Sequence, residues 1–151
     1  MNINLDLLAE RFDKSMIVLK QNMGPQLTNR TQLGLTPGQV FMLHFIRKES
    51  QCNVSLLADK MEVAPSAISV MLDRLENQGL VSRTRNKADR RVVIITLTEE
   101  GKRKLNEVLE VRRKILHHCF KQMEPDHLNT LIESLEKLSS IVQVMEIRDI
   151  I

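Results

Sequence analysis

Residues 54–98 constrain this chain more than any other stretch, because the pattern of apolar residues changes period within a single short segment. The segment reads VSLLADKMEVAPSAISVMLDRLENQGLVSRTRNKADRRVVIITLT. Two short helical patterns come first. Pro65 opens the second, and Gly79 closes it after Leu75 and Gln78, as glycine does just past a helix end. Leu80–Arg85 and Arg91–Leu97 then place β-branched residues on either side of a polar turn, which predicts a hairpin. Val92-Val93-Ile94-Ile95 is the clearest strand run in the chain. A compact helix pair followed by a cationic hairpin predicts a winged helix-turn-helix, an arrangement suited to holding a DNA duplex.

Charge supports that reading through its distribution rather than its sum. The chain carries a net charge of only +3. Residues 81–91 hold Arg83, Arg85, Lys87, Arg90 and Arg91 against one acid, Asp89, so this segment alone exceeds the whole excess. A local patch of that kind is an electrostatic footprint for a polyanion. Pro65, Ser66, Ala67, Ser69 and Val70 start the second helix with small side chains, which suits a helix that enters a groove. Ser66, Ala67, Ser69 and Val70 are the candidates to touch base edges or thymine methyls. None is Arg, Asn or Gln, so bidentate base readout is thin and specificity is expected to lean on DNA shape and on the wing. Arg83, Arg85 and Lys87 are expected to meet phosphates. Arg74 either does the same from the helix or pairs with Asp73 or a nearby acid.

The flanks read as helices. Leu5, Leu8, Phe12, Met16, Leu19 and Met23 recur at steps of three and four within residues 4–30, with Gly24-Pro25 expected to kink or interrupt the helix. Thr36-Pro37-Gly38-Gln39 is a helix start with a capping box, and the helix is expected to carry Val40, Phe41, Leu43, His44 and Ile46 and end near Glu49. Asn53 or Ser55 caps the next helix, which runs through about Met61. Thr98 caps a long helix with Glu99 and Glu100 in its first turn. Leu105, Val108, Leu109, Arg112, Leu116, Cys119, Phe120 and Met123 carry it to a break at Glu124-Pro125. Leu128, Leu131, Ile132, Leu135, Leu138, Ile141, Val142 and Met145 mark a last helix. A small winged domain cannot cover such broad apolar faces. The economical expectation is that the terminal helices pack on each other and on a second subunit; the alternative is a bundle within a monomer. The expected fold is therefore mainly α. An N-terminal dimerisation helix lies in 1–34, a winged helix-turn-helix domain with a small β-hairpin wing in 35–98, and long C-terminal dimerisation helices in 99–151.

Leu57-Ala58, Pro65-Ser66, the run Asp73-Arg74-Leu75-Glu76-Asn77-Gln78-Gly79-Leu80-Val81, Asp89-Arg90-Arg91 and Thr96-Leu97-Thr98-Glu99-Glu100-Gly101 together resemble the MarR family of bacterial transcriptional regulators. The resemblance covers most of the chain. Its most specific parts are the RLE-x-x-GLV turn, the D-x-R wing and the LT-x-x-G start of the following helix. It implies a homodimer that binds a pseudo-palindromic operator, with Pro65–Gln78 as the recognition helix in the major groove and half-site centres about 34–36 Å apart. It also implies that Arg91 enters the minor groove with Asp89 bracing it through a charge-assisted hydrogen bond, Arg90 being the alternative. Ala64 departs from the family, which often has Ser or Thr there, at a cost of about 1 kcal/mol of helix stability.

The resemblance further implies a repressor released by a small hydrophobic effector, held in a pocket for which Met16, Met23, Phe41, His44, Phe45, Leu116 and Phe120 are candidates. The same residues also read as ordinary core. Metal sensing is disfavoured because His117 and His118 are adjacent and point to different helix faces. The family's peroxide-sensing branch has a reactive cysteine in its first helix, and this chain has none there. Of its two cysteines, Cys119 is expected on an apolar face, where a thiol is inert, and Cys52 is expected to be exposed, which leaves a cysteine-based redox-sensing regulator as an alternative.

Other classes find little support. The apolar share of 42% is that of an ordinary globular protein, and no apolar run approaches the roughly 18 residues of a membrane span. The N-terminal residues do not read as a signal peptide, so a cytoplasmic protein is expected. There is no Gly-rich phosphate loop, no GxSxG and no metal-spaced His/Cys/Glu set, so neither an enzyme nor a cofactor is expected. A winged domain serving only as a protein-interaction scaffold has no need of Arg90 and Arg91 at a hairpin tip.

Overall fold

A computed structural model of the chain describes residues 3–29 and 34–146. Residues 1–2, 30–33 and 147–151, which the expected terminal segments included, lie outside the described residues. The chain divides into two compact units, Met1–Val111 and Arg112–Ile151, with the boundary inside one helix.

The first unit contains α1 (Leu5–Asn29), α2 (Pro37–Lys48), α3 (Val54–Met61), α4 (Pro65–Asn77), β1 (Val81–Arg85), β2 (Val93–Leu97) and the start of α5 (Glu99–Phe120). Thr36 caps α2 as its sequence predicts. The Gln39 backbone N–H donates to Thr36 Oγ1 at 3.2 Å, and the Thr36 N–H donates to Gln39 Oε1 at 2.9 Å. Met42, Leu43 and Ile46 make the buried apolar face of α2. Phe41 and His44, expected on that face, are exposed instead. The spacing explains the correction: 39, 42, 43 and 46 lie on one side of a 3.6-residue repeat, and 41 and 44 do not.

Asn53 is the cap of α3, its Oδ1 accepting the Leu56 N–H at 2.9 Å. Ala64 offers α4 no side-chain cap, and Pro65 supplies only a pre-set φ. At the other end of α4, Leu80 N–H donates to Leu75 O and Gly79 N–H to Glu76 O, both at 2.9 Å. That is a Schellman closure, and it needs the positive φ of 72° that Gly79 adopts.

β1 and β2 pair antiparallel, from Val81 opposite Leu97 to Arg85 opposite Val93. Asn86 N–H to Val92 O (2.8 Å) and Val92 N–H to Asp89 O (3.0 Å) close the turn, and Leu80, Arg91 and Val92, expected in the strands, lie outside them. Thr98 stitches the base of the hairpin to α5. Its hydroxyl donates to Gly79 O at 2.6 Å and accepts the Gly101 N–H at 3.0 Å, while its own N–H donates to Leu80 O at 3.1 Å. Gly101 is the close-approach glycine of the fold: a Cβ there would lie 2.0 Å from the Leu80 carbonyl oxygen.

The core joins Met42, Leu43 and Ile46 to Leu57, Ile68, Leu72, Leu75, Val81, Ile95, Leu105 and Val108. Cys52 belongs to it, with no exposed surface, whereas Cys119 is exposed, so the two cysteines exchange their expected places. Ile95 N–H donates to Cys52 O at 2.8 Å, which lays the segment before α3 against β2 and turns the thiol inward. Cys119 lies near the end of α5, beyond Val108, its last buried residue.

Gly24 and Pro25 do not break α1, which runs from Leu5 to Asn29. One hydrogen bond lost at a proline does not end a helix already nucleated over several turns. Leu5, Leu8, Phe12, Met16 and Leu19 along it are all exposed. In the second unit, α5 continues and α6 spans Pro125–Val144, with no buried residue. Leu131, Ile132, Leu135, Leu138, Ile141 and Val142 are exposed on α6. No helix among the described residues is long and apolar enough to cross a membrane.

Candidate nucleic-acid interface

Burial orients α4. Ile68, Leu72 and Leu75 are sealed in the core at i, i+4 and i+7, so the opposite side of the helix must face outward. Pro65, Ser66, Ala67, Val70 and Arg74 are exposed and Ser69 is half-buried, which puts all six helix candidates at or near the surface. Val63, in the turn before the helix, is exposed beside them and was not among the candidates. Neither a helical nor a strand period marks it, because a turn has no repeating face.

Arg83 does not stand free for a phosphate. Its Nη2 lies 2.7 Å from Asp73 Oδ1 and 3.4 Å from Ser69 O, and its Nε lies 3.3 Å from Glu76 Oε2. The Nε contact is a charge pairing without hydrogen-bond alignment. Arg83 therefore ties the wing to α4. Register explains the pairing: Arg83 sits midway along β1, across from Ile95, with Asp73 and Glu76 of α4 within its reach. Asp73, the alternative partner for Arg74, is taken by Arg83, and Arg74 makes no ion pair among the described residues.

At the hairpin tip, Arg85, Lys87, Arg90 and Arg91 are exposed. Arg85, Lys87 and Arg90 join Asn86 around an open cleft of about 320 Å³. Asn86 was not foreseen; its Oδ1 accepts the Ala88 N–H at 2.8 Å and shapes the turn. Asp89 holds Arg91 three times over. Oδ1 accepts the Arg91 backbone N–H at 3.0 Å and its Nε at 3.2 Å, and Oδ2 accepts Nη2 at 3.3 Å. The Arg91 side chain is still 91% exposed. The guanidinium and backbone N–H of Arg91 hold the Asp89 carboxyl below its ordinary range. Asp89 thus orients the arginine without removing it from solvent.

The candidate effector residues differ in exposure. Met16 is exposed on α1 and Met23 half-buried on it; Phe41 and His44 are exposed on α2; Phe45 packs against the core. Leu116 and Phe120 are half-buried and belong to the second unit. Burial, helped by the charge of Glu49, pushes the Cys52 thiol up to about 11, so it is protonated at neutral pH. Among the described residues no three His, Cys, Asp or Glu side chains come together as a metal cluster.

Comparison with known proteins bears on this arrangement. The sequence profile of the MarR family matches residues 35–93. The chain is 41% identical over 142 residues to the HTH-type transcriptional repressor MdtR of Bacillus subtilis, covering 93% of this chain and 92% of that one. The crystal structure of the YusO protein from Bacillus subtilis superposes with a TM-score of 0.70 at 34% identity, over 91% of this chain and 99% of the other. A MarR family protein from Bacillus stearothermophilus superposes with a TM-score of 0.80 at 28% identity, over 94% and 99%.

Proposed function

This chain belongs to the MarR family and is a DNA-binding transcriptional regulator, and we propose that it acts as a homodimeric repressor of a pseudo-palindromic operator. The observation that carries the reading is the wing tip. Arg85, Lys87, Arg90 and Arg91 face solvent there, and one carboxylate, Asp89, aims Arg91 outward. In this reading α4 lies in the major groove, Arg91 enters the minor groove, and Arg85, Lys87, Arg90 and Arg74 meet phosphates. Arg83 holds the wing at its angle to α4.

Dimerisation is supported by the exposed apolar faces of α1 and α6, which water would otherwise cover at a cost of roughly 25 cal/mol per Å². Release from DNA by a small hydrophobic effector belongs to the same proposal, with Met16, Met23, Phe41, His44, Phe45, Leu116 and Phe120 as the residues to mutate. So does a cytoplasmic location. The relative MdtR is named a repressor, which favours repression over activation.

The test is binding of the purified protein to the DNA upstream of its own gene across a salt series. A complex of two subunits per site, whose log affinity falls steeply with log salt, is expected. Binding no tighter than to random DNA, at that site and at the sites of a genome-wide pull-down, would remove the regulator reading and leave an interaction scaffold.

A further inference from the structure

The outward surface of α4 exposes apolar side chains among its serines, and that bears on the sequence it would read. From residue 42 to residue 122, Val63 and Val70 are the only exposed large apolar side chains among the described residues, at 40% and 51%. Every other Leu, Ile, Val, Phe and Met in that stretch is buried or half-buried. Both valines lie at the same end of the winged domain, Val63 in the turn before α4 and Val70 in its second turn. Ala67 sits one turn before Val70 on the same side of the helix and is also exposed. Arg74 follows Val70 by four residues, and the cationic wing tip carries Arg85, Lys87, Arg90 and Arg91. Exposed apolar side chains bordered by solvent-facing cations fit a polyanion with apolar groups in its groove.

In the DNA major groove the one apolar group is the thymine C5-methyl. A valine set against a cytosine amino group or a guanine carbonyl strips water from a polar edge and returns no hydrogen bond. Against a thymine methyl it gains contact and loses nothing. We infer that Val63, Ala67 and Val70 select thymine methyls in each half-site, so that base specificity at α4 comes from apolar contact rather than bidentate hydrogen bonds. This rests on the placement of α4 in the major groove given above.

The test uses duplexes that the full-length protein selects from a random library. Each thymine is then replaced singly by deoxyuridine, which removes the methyl and keeps the hydrogen-bonding pattern. About a fourfold loss of affinity is expected at two or more positions per half-site, corresponding to roughly 0.8 kcal/mol per buried carbon group. Val63→Ala and Val70→Ala should each abolish the loss at their own position, and Val70→Thr, which keeps the shape but replaces one methyl with a hydroxyl, should reduce it. Equal affinity for thymine and uracil duplexes would overturn methyl readout while leaving DNA binding intact. Methyl sensitivity that survives both alanine substitutions would assign it to other residues and overturn it too. Failure to select any duplex would remove the placement of α4 and this inference together.

Discussion

Arg83 of β1 reaches back to Asp73 of α4, with 2.7 Å between Nη2 and Oδ1, so the strand that begins the wing is clasped to the helix proposed to read the groove. The two residues are ten apart in sequence, on elements separated by the Gly79 turn. The Arg83 side chain is 29% exposed and that of Asp73 60%, so the pair is sheltered on the arginine side only.

Breaking the clasp should therefore affect DNA binding more than folding. Asp73→Ala and Arg83→Ala are each expected to cost about 1 kcal/mol of stability or less, and to weaken operator binding severalfold by loosening the wing angle. A double-mutant cycle on thermal unfolding should give a coupling of about 0.5–1 kcal/mol. Additive effects would mean that Arg83 and Asp73 act separately.

Arg91 is expected to act the other way, on binding alone. Arg91→Ala should weaken operator affinity at least about tenfold, roughly 1.4 kcal/mol, with unfolding and dimer state unchanged. Asp89→Asn should give a smaller loss, because it removes the brace and keeps the arginine. The Asp89 carboxyl is held down in the folded chain, so the brace is complete above its unfolded value near 4 and is lost as pH falls through the lower folded value. Affinity measured between pH 6 and pH 8 should accordingly show no pH dependence arising from Asp89. Unchanged affinity of Arg91→Ala at fixed salt would take Arg91 out of the interface.

Gly101→Ala tests the junction of the hairpin and α5. In an open helix this change stabilises by about 1 kcal/mol. Here the new Cβ would stand 2.0 Å from the Leu80 carbonyl oxygen, a backbone atom that cannot rotate away. A loss of about 1–3 kcal/mol is expected, lowering Tm by several degrees. A raised Tm would show that α5 can shift without cost.

The cysteines should separate by reactivity. At neutral pH a thiol reagent should label Cys119 readily and Cys52 only on unfolding. The folded thiol of Cys52 titrates near 11 and the unfolded one near 9, so between those values the unfolded chain holds fewer protons. Stability should then fall as pH rises across that window, by up to about 1.4 kcal/mol per unit. Cys52→Ala should flatten that slope. Rapid labelling of Cys52 in the native protein would reopen a redox role for it.

Local order was legible from the chain itself. Thr36, Asn53, Thr98 and Gly79 act at helix ends as their types predict, since caps and left-handed closures involve residues within a few positions. The hairpin and its cationic tip were legible for the same reason. The Asp89–Arg91 brace spans two residues, and it came from the family resemblance rather than from spacing.

The sequence by itself determined the order of elements, the winged helix-turn-helix and the place where positive charge gathers, because each follows from periodicity and short-range chemistry. Only the tertiary structure decided which cations remain available. Arg83 and Arg85 are two residues apart on one strand, yet Arg83 is held by Asp73 and Glu76 while Arg85 lines the open wing tip. The tertiary structure likewise buried Cys52 through a backbone bond to Ile95 and left Val63 and Val70 outside. Those outcomes depend on contacts between elements distant in the chain, and the spacing of residues along one element does not encode them.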